Sequence, residues 1–323
     1  MSIQPTRRTQ NQLVVLPPPP PSVTPKFSVD SWKSSFQASP IKSSGFGTQG
    51  DTFVDPRSSG LVRPAKDPSI DGVDGGKDAQ YTKVDGSPFI KGATDGAEID
   101  ANDVNQGAIG DCGVMASLSS VAKSDPDTLK KGIRDNGDGS YTVTLYEKKP
   151  WYQPWGPDFN KREIRVTPDL PTKGGQMVFA QPGDSNGSQK ELWPALYEKA
   201  YAQMKGGYSK IQGSNPADVM EAITGKSSTT ATPSKESLKK IDQQLKSGDA
   251  VTVASVKDDV AKDKEPFKNN TLVANHAYSV VGVDAEKGTI TLRNPWGEGY
   301  PPVTVSADTF ASCFAEIESN PGA

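Results

Sequence analysis

A change of hydrophobic period near residue 248 constrains this chain more than any other feature. Before it, the longest patterned segments repeat at helical spacing; after it, apolar residues alternate. Val114, Ala116, Leu118, Val121 and Ala122 predict a helix over residues 112–123, with Asp111 as its N-cap. Leu192, Leu196 and Ala200 predict another over 191–204, closed by Gly206 and Gly207. Asn215 followed by Pro216 reads as an N-cap with proline at the first helical position, and Gly225 ends that helix. Residues 234–245 form the last helix, stopped at Gly248. Residues 250–256, 276–284, 288–293 and 302–305 then read as strands, with a hairpin connection over 284–288. An earlier strand over 140–147 follows a glycine-rich turn, and 163–167 and 176–180 are further strand candidates. Helices gathered before strands predict an α+β fold.

Residues 1–85 follow neither period. They are rich in Pro, Ser, Thr, Gly and Asp, and Pro17 to Pro21 predict a short polyproline II rod. Such a segment buries too little apolar surface to offset its ordering entropy, so it reads as a disordered leader. Order then begins near Phe89 and Ile90, and residues 86–323 form the folded domain. Phe27, Trp32, Phe36 and Phe53 are candidate docking points, through which the leader would bind a secretion or partner protein. The chain's 33% hydrophobic content, low for a wholly folded protein, agrees with that division.

A net charge of -3 gives no basic footprint, so nucleic acid is not an expected partner. No apolar run is long enough to span a membrane. Leu13 to Leu16 are too few for a signal-peptide core, and five prolines follow. The expected location is cytoplasmic, or one reached by a route that needs no signal peptide. Two cysteines, Cys112 and Cys313, allow at most one disulfide and favour a reducing compartment.

The chain has one histidine, His276, which is therefore the only imidazole that could activate a thiol. A thiol becomes a nucleophile as its thiolate, and imidazole is the usual base that makes it one. Cys112 opens a predicted helix, where backbone N–H groups favour negative charge. Asn294 can orient the imidazole, and Gln106, six residues before Cys112, can donate to an oxyanion. Singly, each has a plainer reading: a buried cysteine, a strand histidine, a turn asparagine, a surface glutamine. Together they stand in the order Cys, His, Asn of papain-like proteases. Cys313, with no base nearby in sequence, reads as packing.

Gln106-Gly-Ala-Ile-Gly-Asp-Cys112, Asn275-His-Ala-Tyr-Ser-Val and Leu292-Arg-Asn-Pro-Trp-Gly-Glu resemble the three active-site signatures of the calpain family of cysteine proteases. Glu191-Leu-Trp-Pro-Ala-Leu-Tyr-Glu-Lys-Ala-Tyr-Ala resembles a helix of the same family, and the likeness runs over residues 89–317. The resemblance implies a papain-like, two-lobed core: a helical Cys lobe over about 86–230 and a β-rich His/Asn lobe over about 231–320. It makes Cys112 the nucleophile, His276 the base, Asn294 its orienter and Gln106 the oxyanion donor. Trp296 matches the tryptophan that shields the His–Asn hydrogen bond. It implies a protein substrate, and it leaves calcium as a candidate ion with no ligand assigned; no cofactor follows from the residues themselves.

The chain departs from the family pattern at Gly113, where a tryptophan is usual. That change is expected to open the site and loosen the first helical turn. The chain also has no recognisable C2-like or EF-hand region. A compact core behind a Pro/Ser-rich leader resembles bacterial calpain-type proteins, some of them delivered effectors or toxins. Two other functions fit the same residues. One is a glutamine deamidase or transglutaminase-type acyl transferase; the other is a binding module on a disabled protease scaffold.

Overall fold

The computed structural model describes residues 66–73, 75–91, 96–150, 155–183, 185–186, 189–297 and 299–322. Expectations for residues 1–65, the polyproline rod and the four docking aromatics among them, lie outside the described residues. Residues 66–73 and 75–85, assigned to the leader by composition, pack on the core at several points. Strand β1 (Gln80–Lys83) pairs antiparallel with β6 below. Val73 and Val84 are buried in the main core, and Asp67 meets the enclosed Lys199 at 2.5 Å. Polar composition hid this because the segment contributes isolated anchors rather than a periodic face.

Beyond β1 come the short β2 (Gly86–Ser87), helix α1 (Cys112–Ser124), helix α2 (Pro126–Gly132) and strand β3 (Ile133–Asp135). Strands β4 (Tyr141–Lys148) and β5 (Phe159–Val166) form a long hairpin with β3 on its edge. β6 (Asp169–Lys173), β7 (Gln176–Met177), β8 (Ser185–Asn186) and β9 (Gln189–Glu191) build two small sheets with β1 and β2. Of the expected strand over 176–180, only two residues pair. The strand expected over 163–167 starts earlier, at Phe159, because its first half carries exposed charges rather than alternating apolar residues.

Helix α3 (Trp193–Lys205) ends as expected at Gly206, whose φ of 95° supplies the left-handed cap. Helix α4 (Pro216–Thr224) has Asn215 as its cap, accepting from the Ala217 N–H at 2.8 Å. Around these elements Met115, Leu118, Leu129, Leu145, Trp193 and Ile223 close one core.

The second core belongs to a six-stranded antiparallel sheet of order β10-β15-β11-β12-β13-β14. Its strands are β10 (Thr229–Ala231), β11 (Ala250–Ser255), β12 (Ala277–Asp284), β13 (Thr289–Arg293), β14 (Val303–Ser306) and β15 (Phe314–Asn320). Helices α5 (Ser237–Lys246), the one-turn α6 (Asp258–Ala261) and α7 (Glu265–Lys268), and α8 (Ala307–Cys313) accompany it. Leu238, Val253, Val280, Leu292, Phe310 and Ile317 fill this core, and Cys313 is buried among them. Strand β15 was not visible in the sequence, because Glu316, Glu318 and Asn320 occupy positions that an alternating pattern gives to apolar residues.

Helix α1 joins the two halves. All its residues from Cys112 to Ala122 are buried, so it is enclosed on every side rather than amphipathic. Its serines are satisfied across the junction: Ser120 Oγ donates to the Val251 carbonyl of β11 at 2.9 Å, and Ser119 meets Ser279 of β12 at 3.1 Å. Strands β11 and β12 are thereby held against the second half of this helix. No helix among the described residues is long and apolar enough to cross a membrane.

Candidate active site

Cys112 is the first residue of α1 and is 7% exposed. Burial pushes its thiol up to about 12, and the charge of Asp111 adds to this. Backbone hydrogen bonds from Ala277, Gly113 and its own N–H pull the other way without prevailing. The free cleft therefore holds a neutral thiol. The helix terminus alone does not produce the thiolate bias expected from sequence, because desolvation outweighs a terminus effect of about 0.3–1 kcal/mol.

His276 directly precedes β12 and is tied at both backbone groups. Its N–H donates to Ser255 Oγ at 3.0 Å, and its carbonyl accepts from the Ser255 N–H at 2.9 Å. Asn275 before it takes a left-handed φ of 49°, which asparagine tolerates. His276 Nε2 pairs with Asn294 Oδ1 at 2.9 Å, so Nδ1 is the ring nitrogen left for the thiol. Burial lowers its pKa to about 4, with the Asn294 bond opposing. The Trp296 ring lies 5.0 Å from the imidazole, and its backbone N–H donates to Asn294 Oδ1 at 3.0 Å. Tyr278 meets the same ring edge-on at 5.0 Å.

Cys112 and His276 line one pocket, together with Gly113, Ser214, Ala254 and Glu316. Gly113 leaves no opening of the kind its sequence suggested. A Cβ there would stand 2.0 Å from the Ser214 carbonyl oxygen, so backbone occupies the space and only glycine fits.

Gln106 is bound to the same region. Its N–H donates to the Pro295 carbonyl at 2.8 Å, and its side-chain Nε2 donates to the Ile109 carbonyl at 2.7 Å. The amide is thus engaged in the loop before Cys112, where it also helps to hold down the pKa of the buried Asp111.

Three features were not anticipated. Arg293, buried, donates to the Val104 carbonyl at 2.7 Å and to the Asn102 carbonyl at 3.3 Å, fastening β13 to the loop ahead of Cys112. Asp111 occupies the N-cap position of α1, yet its carboxyl makes no cap bond. It faces Glu198 of α3 instead, both fully enclosed, and Glu198 also accepts from the Ala180 N–H at 3.0 Å. Burial, and for Glu198 the neighbouring acid as well, raises both above the usual carboxylate range, so the pair shares a proton. The third is Glu316, a charged residue in the pocket wall. Among the described residues, no three His, Cys, Asp or Glu side chains form a group that could hold a metal.

Comparison with known proteins places these residues in context. Residues 90–301 match the calpain family cysteine protease description. The chain is 31% identical to calpain-8 of Rattus norvegicus over 205 residues, which is 61% of this chain and 28% of that protein. It is 30% identical to calpain-8 of Homo sapiens over 205 residues and 29% identical to the calpain-2 catalytic subunit of Macaca fascicularis over 210 residues, with the same coverage. The match thus spans a little over a quarter of the length of these relatives.

Proposed function

This chain belongs to the calpain family of cysteine proteases, and from that membership we propose that it is an endopeptidase acting through Cys112, His276 and Asn294. The observation that carries the reading is the 2.9 Å hydrogen bond from His276 to Asn294 beside a pocket that Cys112 also lines. Each group is neutral when titrated alone. Moving the proton from Sγ to Nδ1 creates two opposite charges together, and their attraction offsets part of the burial that penalises either one singly.

In this mechanism the Cys112 thiolate attacks the scissile carbonyl carbon. The oxyanion is held by the Cys112 N–H and by the Gln106 side-chain amide. His276 then gives its proton to the leaving amine, and an acyl-enzyme remains. Water, deprotonated by His276, releases the acid and restores the thiol. Asn294 keeps the imidazole in the required tautomer, and the Trp296 ring keeps water from that hydrogen bond. The family is calcium-regulated in general, but nothing in the described residues supports an ion in this chemistry.

Incubation with denatured casein tests the reaction. Fragments that disappear with Cys112→Ala support the endopeptidase, whereas ammonia release without fragments would indicate a deamidase or acyl transferase. Failure of a thiol epoxide to modify Cys112 would leave a binding module. A role as a delivered bacterial effector or toxin, with the leader as the partner-binding segment, rests on the composition of residues 1–85 alone. A translocation assay of the full chain checks it.

A further inference from the structure

Glu316 stands outside the stretch matched to the family, on β15, yet it lines the pocket of Cys112 and His276. Its register partner is Ala254 on β11. Two residues along the same strand, and so on the same face, Glu318 is fully buried and accepts from Thr252 Oγ1 at 3.1 Å. Glu316 Oε2 and Glu318 Oε1 are both enclosed with no other hydrogen-bond partner, a situation that one proton between them resolves. Burial first, then the charge of Glu316, pushes Glu318 up to about 8. At neutral pH Glu318 therefore keeps its proton, on the same strand face as Glu316. Of the two acids, Glu316 is the one that reaches the pocket.

The walls around this charge are small. Gly113, Gly213, Ala254 and Ala277 offer backbone and methyl groups, which suit an alkyl stem. Lys257 also lines the pocket, half-buried on a flexible stem. A neutral substrate that sealed the pocket would leave the Glu316 carboxylate desolvated and uncompensated, which is costly. A cationic one would form a charge-assisted hydrogen bond with it, bidentate for arginine.

We propose that Glu316 makes this pocket select a lysine or arginine side chain on a residue flanking the scissile bond. The proposal rests on the endopeptidase reading and names its substrate class. The test is a peptide series, cleaved by the full-length protein, in which Lys, Arg, Leu, Gln and Glu are exchanged one position at a time on either side of the scissile bond. Casein digestion is run in parallel. At one position kcat/KM for Lys and Arg should exceed that for Leu and Gln by about tenfold or more, the scale of discrimination one well-placed contact gives. Glu316→Gln should reduce that ratio to within about threefold, and Glu316→Lys should turn the preference toward Glu. Glu318→Gln puts another neutral group on the same strand face and should keep the basic preference, which separates the charge of Glu316 from general damage to β15. A basic preference that persists in Glu316→Gln, or a wild-type protein with none, overturns the assignment alone. Absence of cleavage of casein and of every peptide overturns it together with the endopeptidase reading.

Discussion

Cys112 and His276 are buried by the same contacts that align them, and the physics of single residues here is mostly desolvation against partnership. Loss of Cys112 removes the nucleophile, so Cys112→Ala should abolish casein cleavage. Cys313 is buried in the second core rather than in the pocket, so Cys313→Ala should keep it. Equal loss in both would point to a second catalytic thiol. His276→Ala removes base and leaving-group acid together and should cost most, since acid–base catalysis alone is worth about 10²–10⁴-fold. Asn294→Ala should be intermediate and Trp296→Ala mildest, because each acts through the imidazole; kcat values in a different order would displace Asn294 from its role. Gly113 supplies an independent structural test. A methyl group 2.0 Å from the Ser214 carbonyl oxygen must displace backbone, so Gly113→Ala should destabilise by about 1–3 kcal/mol, the usual cost of overpacking. An unchanged melting temperature would mean that the Ser214 loop yields freely.

At the scale of elements, β15 shows how charge can be built into a sheet. Glu318 holds its proton because it is buried, and its folded pKa of about 8 lies above the ordinary 4.5. A raised pKa contributes stability that is complete below the unfolded value and fades as pH rises through the folded one. Wild type and Glu318→Gln should therefore melt alike near pH 4.5, with the variant gaining on wild type toward pH 8 and above. Parallel melting curves across that window would show that Glu318 does not titrate there. His276 acts in the opposite sense: its lowered pKa of about 4 contributes stability above the unfolded 6.5 that is lost as pH falls through 4. The same strand shows what the sequence could reveal. The glycine stops of α3 and α4 and the Asn215 cap of α4 were legible because capping is local chemistry, and β11 to β14 were legible because their apolar residues alternate. Strand β15 was not, since its acids are stabilised by Thr252 and by each other, through contacts that only the folded sheet creates. Asp111 misled for the same reason: its neighbour in sequence is a helix start, but its partner in space is Glu198. Gln106, His276, Asn294 and Trp296 could be singled out beforehand, whereas Arg293 and Glu316 acquire meaning only from what the fold brings beside them.

For the whole molecule, the decisive question is where the folded unit begins, and Lys199 provides the means to ask it. Its side chain is fully enclosed on α3, with Nζ donating to the Thr167 and Asp169 carbonyls at 3.1 and 2.6 Å and facing Asp67 at 2.5 Å. Burial lowers its pKa, and Asp67 is the chief group opposing that shift. Removing Asp67 leaves a buried ammonium without its carboxylate, the kind of change that costs several kcal/mol. Removing the rest of 66–85 also strips β1 from β6 and uncovers the sites of Val73 and Val84, each worth about 1.5–3 kcal/mol of burial. These losses are of the same order as the entire stability of a typical domain. A protein starting at residue 66 should therefore fold, while one starting at residue 86 should melt far lower or fail to fold. Asp67→Asn in the full chain should lie between them, because it keeps β1 and the two valines. Circular dichroism melts of the three proteins give the comparison. Equal melting temperatures for the two truncations would mean that residues 66–85 rest on the core without supporting it.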